Sequence, residues 1–491
     1  MSESAIMKKT TLGGDAVLLT TSNILTMCVS MITGMLLARF RTLEEYGTFS
    51  QLLLVIDLFA SIFMLGVPNS INYFLARADN NEKAQQFLSV FYTINTILSI
   101  MLGVALVCAI PLIELYFNNP EIRRYAYFLA LYPWASIIPV SIVNVLVVYK
   151  KTGFLLIYKL LNSFLLLGVV LVVELMGLGF QEYMIGNLGV YMLFALSVYV
   201  IVAKLSGGIK ISVNPTLIKE ILVFSIPLGF SVIIATLNLE IDKLLIGRMM
   251  NTQELAIYSN AAKELPLTIV SSSVTAVLLP QVSKMIKNKE NTKAVNLWGA
   301  ATELSLIFMS LFVAGIFTYA EDVIEILYSK KYLAGVPVFR VYSLVLLLRI
   351  AYFGMILNAM GRTKEIMTCS IYALILNAVL NPLFYTLMGS IGPAIATFLS
   401  IFVIQMCQLW LTSKHIELSF KDIFPWFNCG KILAANIVFG FIFYMIKQIV
   451  PLDKYVGSAA ESIFLGVIWS GIYILVMKDK IKKLWNKINA V

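Results

Sequence analysis

The run Leu346-Leu347-Leu348-Arg349-Ile350 places a guanidinium inside a long apolar stretch. A charge so placed is costly in lipid and must face a wet cavity or a partner. Phosphate suits it, because arginine offers two donors at once. An ion pair with Glu303 or another buried acid is the alternative. Lys159, Lys243, Lys263 and Arg340 also fall inside apolar stretches, and Arg39 and Arg248 stand at the ends of two more. Lys159 is near enough to an aqueous surface to reach it along its own stem. Lys263 precedes Glu264, and adjacent helical residues point about 100° apart, so the two need not pair with each other. Arg349, Lys263, Lys159, Arg39 and Arg248 are therefore the candidates for holding an anionic substrate.

The acids in such stretches are fewer. Asp57, Asp242 with Glu240, and Glu303 are candidates either for coupling to Na⁺ or protons, or for structural hydrogen bonds between helices. For Asp242 the structural alternative includes an ion pair with Arg39 or Arg248. Prolines remove a backbone donor and bend helices, so Pro227 and Pro266 are candidate hinges, with Pro133, Pro139 and Pro382 as further bends. Asn23, Asn69, Asn72 and Asn238 add neutral hydrogen-bonding capacity, which serves sugar hydroxyls or joins helices.

Composition sets the solvent in which these groups work. Of 491 residues, 59% are hydrophobic and 13% charged, against roughly 25% charged in a soluble domain; the mean hydropathy is +0.87. Most of the chain has no aqueous surface to make, so lipid is its main solvent. The net charge of +10 fits basic loops held on the cytoplasmic side better than nucleic-acid binding, for which the aromatic motifs are missing. The cysteines Cys28, Cys108, Cys369, Cys407 and Cys429 are scattered, with no spacing for a disulfide framework or a metal site. His415 is the single histidine and reads as a solvated loop residue beside Lys414. One histidine leaves no room for a histidine metal cluster, and a Ser/His/Asp triad is not expected. No cofactor is implied.

A span needs about 20 mostly apolar residues. On that rule fourteen stretches qualify: 12–38, 46–76, 86–112, 122–149, 153–176, 181–204, 219–246, 253–283, 293–318, 334–360, 363–387, 389–412, 430–450 and 457–477. With the N-terminus inside, the inner loops hold about 23 Lys and Arg against about 9 outside, which predicts that both termini are cytoplasmic. The short loops leave no soluble domain, so any chemistry lies within the helices or at their mouths.

Leu36–Ser50 aligns without gaps on Leu245–Ser259, with Leu36, Arg39, Glu45 and Ser50 meeting Leu245, Arg248, Glu254 and Ser259. Each copy joins the first two spans of a six-span group, which predicts two parallel halves. The expected fold is thus an all-α membrane protein of about 14 transmembrane helices. Residues 1–210 form an N-terminal lobe of spans 1–6, and 211–415 a C-terminal lobe of spans 7–12. Residues 416–491 hold spans 13 and 14 and a basic tail.

The motif pairs carry a family resemblance. Leu37-Ala38-Arg39 followed by Glu44-Glu45-Tyr46-Gly47-Thr48-Phe49-Ser50 is similar to the opening of polysaccharide-biosynthesis flippases, the Wzx-like proteins. Phe224-Ser225-Ile226-Pro227, Asp242-Lys243-Leu244-Leu245-Ile246-Gly247, Leu279-Pro280-Gln281, Asn358-Ala359-Met360-Gly361-Arg362-Thr363, Leu380-Asn381-Pro382 and Gly392-Pro393-Ala394 follow in the order this family shows. The resemblance implies the multidrug/oligosaccharidyl-lipid/polysaccharide exporter fold, with two six-helix lobes around a central cavity. It implies a bacterial cytoplasmic-membrane flippase that is not an enzyme. Its cargo would be a polyprenyl-pyrophosphate-linked oligosaccharide, moved to the outer leaflet by alternating access for O-antigen, capsule or similar synthesis. The expected partners are that lipid-linked oligosaccharide, membrane lipid and a polysaccharide polymerase, with no nucleic acid. The competing reading is a cation-coupled multidrug antiporter of the toxin-extrusion type.

Overall fold

The structure, a computed structural model, describes residues 12–78, 80–263, 265, 268–450 and 457–489. Among them every regular element is helical, with no strand. In chain order the helices are α1 (Leu12–Phe40), α2 (Leu43–Phe63), α3 (Ile71–Phe74), α4 (Asn81–Cys108), α5 (Ile110–Phe117), α6 (Ala126–Val148), α7 (Thr152–Leu175) and α8 (Phe180–Ser206). Then come α9 (Pro215–Met249), α10 (Thr252–Ala261), α11 (Thr268–Lys287), α12 (Asn291–Thr318), α13 (Ala320–Leu327), α14 (Val336–Leu348) and α15 (Met355–Ala359). The last are α16 (Thr363–Met388), α17 (Ile391–Ile416), α18 (Phe420–Ile423), α19 (Trp426–Ile449) and α20 (Ser458–Asn489). Helices prevail because lipid offers the backbone no hydrogen bonds, so each segment must satisfy its own.

Thirteen helical segments among the described residues are long and apolar enough to cross a membrane. The protein is a multi-pass membrane protein. The eighth expected stretch, 253–283, is not among those thirteen and is broken between α10 and α11. Other stretches also depart from a single helix, as 86–112 does where α4 ends at Cys108 and α5 begins at Ile110. In 46–76, α2 stops at Phe63 and the chain turns through Leu65 and Gly66, both at positive φ, before short helical turns. In 334–360, α14 stops at Leu348 and helix resumes only at Met355. Hydropathy continues across these breaks, so an apolar count cannot register them.

The internal repeat is visible in the element boundaries. Phe40 ends α1 and Met249 ends α9, 209 residues later. Asn81, Ile110 and Ala126 begin α4, α5 and α6, and Asn291, Ala320 and Val336 begin α12, α13 and α14, each 210 residues on. Even the six-residue 3₁₀ turn before α6, Pro120–Tyr125, has its counterpart before α14 in Lys330–Gly335. Arg39 and Arg248 both occupy the last turn of the leading helix.

The chain forms two compact units, one of residues 1–237 with 251–253, the other of 238–250 with 254–491. In the first, Thr42 and Glu45 cap α2 reciprocally: Thr42 Oγ1 accepts from the Glu45 amide at 3.2 Å and Glu45 Oε2 from the Thr42 amide at 2.9 Å. Gly47 is required because a Cβ there would lie 2.1 Å from the Thr252 carbonyl oxygen. Arg41, buried beside it, donates to Glu174 at 3.2 Å and to the Leu178 carbonyl at 3.2 Å, joining the end of α1 to that of α7. The unit's core is built from α4, α6 and α8, where Phe91, Ile138, Ile142 and Val198 are fully buried.

In the second unit, α19 and α20 pack on α12 through an apolar stripe, with Trp469 stacked on Phe443 at 5.5 Å. Polar contacts fasten them at three levels. Asn428 donates to Glu303 Oε1 at 2.9 Å while Lys480 approaches Oε2 at 3.4 Å. Asn436 donates to Ser310 Oγ and to the Tyr473 hydroxyl, each at 2.9 Å. Lys447 Nζ and the Ser462 hydroxyl reach Asp322 Oδ2, the latter at 2.7 Å, and the Ser458 hydroxyl reaches Oδ1 at 2.5 Å. Burial opposes ionisation of Asp322, but the hydrogen bonds from Lys447, Ser458 and Ser462 outweigh it and hold its carboxyl below the ordinary value.

Candidate functional site

The break after α14 gives the second unit a cavity. Where α14 ends, Leu348 leaves a carbonyl without a helical partner, and lipid cannot supply one. Gln405 of α17 donates to it through Nε2, and the Arg349 amide turns back to the Leu346 carbonyl at 3.0 Å. The irregular run 349–354 so held apart from helix opens a space of about 550 Å³. Asn238, Ser271, Thr275, Asn377, Ser400, Gln405 and Gln408 line it with amides and hydroxyls, Tyr352 and Phe353 with rings, and Arg349 with a guanidinium. Among the described lining residues there is no carboxylate. The polar wall is organised within itself: Asn377 reaches the Asn238 carbonyl at 3.5 Å, and Asn381 donates to Asn377 Oδ1 at 2.7 Å.

Such a lining can meet hydroxyls and acylated amines in both senses, since each amide donates and accepts. Its rings offer apolar faces, and its single guanidinium can grip one anionic group by two parallel hydrogen bonds.

The other candidate residues lie elsewhere. Lys159, on α7 of the first unit, donates to Asn23 Oδ1 of α1 at 2.8 Å. Lys263 lies at the break between α10 and α11 and is exposed. Arg39 and Arg248 are exposed at their helix ends, and Asp57 is exposed on α2. Lys243 pairs with Glu240 at 2.8 Å one turn away. Asp242 is buried and accepts from the Tyr258 hydroxyl at 2.8 Å and from the Tyr342 hydroxyl, which ties α9, α10 and α14 together. Glu303 faces α19 and α20 through Asn428 and Lys480. Pro227 sits within α9, which runs unbroken from Pro215 to Met249, while Pro266 and Glu264 lie outside the described residues.

One single-residue reading is corrected. His415 is no loop residue: it stands in the last turn of α17 with Nε2 2.7 Å from Glu365 Oε2. Cys369 and Cys407, far apart in sequence, bring their Sγ atoms to 3.1 Å because α16 and α17 pack side by side. The cavity residues that sequence reasoning passed over are Ser271, Thr275, Ser400, Gln405 and Gln408. Their one legible signal is the pair of glutamines three apart in an otherwise apolar span, which shares a helix face.

The family of polysaccharide biosynthesis proteins matches this chain over residues 36–337. The chain belongs to that family. A probable lipid II flippase MurJ of Rickettsia prowazekii (strain Madrid E) is 22% identical over 266 residues, which is 50% of this chain and 50% of that protein. A second, of Rhizobium meliloti (strain 1021), is 25% identical over 133 residues, 26% of this chain and 25% of the relative. The chain thus spans half or less of the length of these curated relatives. Among solved structures, the lipid II flippase MurJ in an inward closed conformation superposes with a TM-score of 0.71 at 17% identity, covering 94% of this chain and 99% of that one. An inward-facing multidrug resistance MATE family transporter of the MOP superfamily gives 0.63 at 14% identity, covering 82% and 98%. The fold is the one these transporters share, as the sequence resemblance implies.

Proposed function

We propose that this protein is a flippase that moves a polyprenyl-pyrophosphate-linked oligosaccharide from the cytoplasmic to the outer leaflet of a bacterial cytoplasmic membrane by alternating access. The observation that carries the proposal is Arg349 at the broken end of α14, in a cavity where amides, hydroxyls and rings stand among aliphatic side chains. That lining suits a sugar chain with one anionic attachment. Membership of the polysaccharide biosynthesis family supports the same reading. A cationic drug, by contrast, finds no carboxylate in the described lining.

Within this reading Arg349 is the principal contact to the pyrophosphate. Lys263, Lys159, Arg39 and Arg248 form secondary positions along its path, and Asp57 and Asp242 serve coupling or structure. Both termini lie in the cytoplasm, where the lysine-rich tail of α20 belongs, and a polysaccharide polymerase receives the product. The test is binding of purified protein to a polyprenyl-pyrophosphate oligosaccharide, followed by native mass spectrometry. The wild type retains the lipid-linked sugar in preference to the free polyprenyl phosphate, and Arg349→Ala loses that retention. Retention of a lipophilic cation with none of the lipid-linked sugar would overturn the assignment in favour of a drug antiporter.

A further inference from the structure

Arg340 stands apart from the cavity described above, at the mouth of a second one. A groove of about 640 Å³ runs between α12, α14 and α19, walled by Val313, Ala314, Leu344, Leu347, Leu433 and Phe441 among other, mostly apolar, side chains. It opens toward the surface, where Phe317, Ile437 and Phe441 are 41%, 72% and 64% exposed within membrane-spanning helices. Apolar side chains so exposed on a span face hydrocarbon. The groove therefore opens on lipid rather than on water.

Its mouth is charged in a particular way. Arg340 donates through Nε to the Phe317 carbonyl at 3.3 Å and lies over the Phe317 ring at 5.9 Å, which fixes the guanidinium at the end of α12. Its NH2 lies 3.5 Å from Glu321 Oε1, and Glu321 is itself largely exposed. Tyr444, one more lining residue, is also exposed, and tyrosine favours the level of lipid headgroups. A lone cation at a groove mouth would suit an anionic lipid. Here a cation and an anion stand side by side, and a second anion would meet Glu321. The complementary headgroup carries both signs: a phosphate for Arg340 and an ammonium for Glu321.

We propose that this groove is a binding site for a zwitterionic phospholipid with a primary ammonium, of the phosphoethanolamine class. One hydrocarbon chain occupies the groove, the phosphate bonds to Arg340 and the ammonium to Glu321. A primary ammonium fits better than a quaternary one because it can donate hydrogen bonds to the carboxylate. The lipid is a resident of the bilayer, held on the second unit alone, and is distinct from the cargo. The site stands whether or not the cargo assignment does.

The test uses the full-length protein in detergent, offered chain-matched phosphatidylethanolamine, phosphatidylglycerol and phosphatidylcholine, with retained lipid counted by native mass spectrometry. The wild type is expected to retain phosphatidylethanolamine about fivefold over phosphatidylglycerol, as a partly exposed ion pair allows. Glu321→Gln is expected to abolish that preference while leaving total lipid retained. Arg340→Gln should lower retention of all three. Ala314→Phe, which fills the groove and leaves both charges in place, should displace the lipid and so separates a groove effect from a folding defect. Equal retention of the three lipids by the wild type would overturn the proposal. So would a preference for phosphatidylglycerol, which would mean an anionic-lipid site, or unchanged retention in Ala314→Phe, which would mean the lipid sits elsewhere.

Discussion

At the scale of single residues, the proposal turns on what each side chain of the cavity offers to a ligand that is polar, bulky and anionic at one end. Arg349 offers charge with a fixed planar geometry, which lysine cannot reproduce. Arg349→Ala is expected to abolish surface glycan while membrane abundance stays near normal, and Arg349→Lys to rescue only partly; quantitative glycan display alongside immunoblotting of the membrane fraction checks both. Normal display in the Ala variant would remove Arg349 from the phosphate role. Gln405 has a different task, since its amide satisfies the Leu348 carbonyl. Gln405→Leu leaves that carbonyl unpaired in an apolar setting, at a cost of about 1–3 kcal/mol, so it should lower thermal stability as well as transport, whereas Gln408→Ala, without such a bond to replace, should affect transport more than stability. Arg349 was legible in the sequence because a charge interrupts an apolar run. The neutral members Ser271, Thr275 and Ser400 were not, because hydroxyls within spans bond equally well to their own helix, as Ser400 does to the Ala396 carbonyl at 2.8 Å.

At the scale of elements, apolar length alone located nearly every helix, because a bilayer of roughly 30 Å demands about 20 residues and tolerates few charges. It did not locate the breaks. Pro133, Pro139 and Pro382 all lie inside continuous helices, while the break after Leu348 contains no proline and that after Phe63 begins at Leu65 and Gly66. In a packed bundle the orphaned groups beside a proline are satisfied by neighbours, so the helix survives it. A break needs instead a partner such as Gln405 to take its free carbonyl, and that partner is distant in sequence. The fastening of α19 and α20 was equally hidden, since Asp322 meets Lys447, Ser458 and Ser462 only after folding. Asp322→Asn is expected to cost about 3 kcal/mol, the usual size for breaking a buried charge pair, seen as a lower melting temperature in detergent. The sign of its pH dependence follows from a carboxyl held below its ordinary value. The stabilisation is fully present above about pH 4 and is lost as pH falls through the depressed value in the folded state. The gap between wild type and Asp322→Asn should therefore be wide at pH 7 and close on acidification. A gap constant with pH would show that Asp322 does not act as a carboxylate.

At the scale of the whole molecule, the proposed function has a cargo that crosses the membrane with its charge. A pyrophosphate carries roughly two negative charges, and an interior-negative potential favours moving each outward by about 2.3 kcal/mol per 100 mV, or about 4–5 kcal/mol in all. Cations that bind the cargo near the midplane do not travel with it, so most of that gain survives. Membrane potential alone is therefore expected to drive flipping, with Asp57 modulating rather than powering it. The most direct measurement is made in proteoliposomes holding the purified protein and a polyprenyl-pyrophosphate oligosaccharide, with a set potential and no Na⁺ or pH gradient. The sugar should appear on the far leaflet at a rate that rises with the potential and vanishes in Arg349→Ala. Failure of the sugar to cross under a potential, with transport recovered only when an ion gradient is added, would contradict this and make a carboxylate such as Asp57 the source of the driving force.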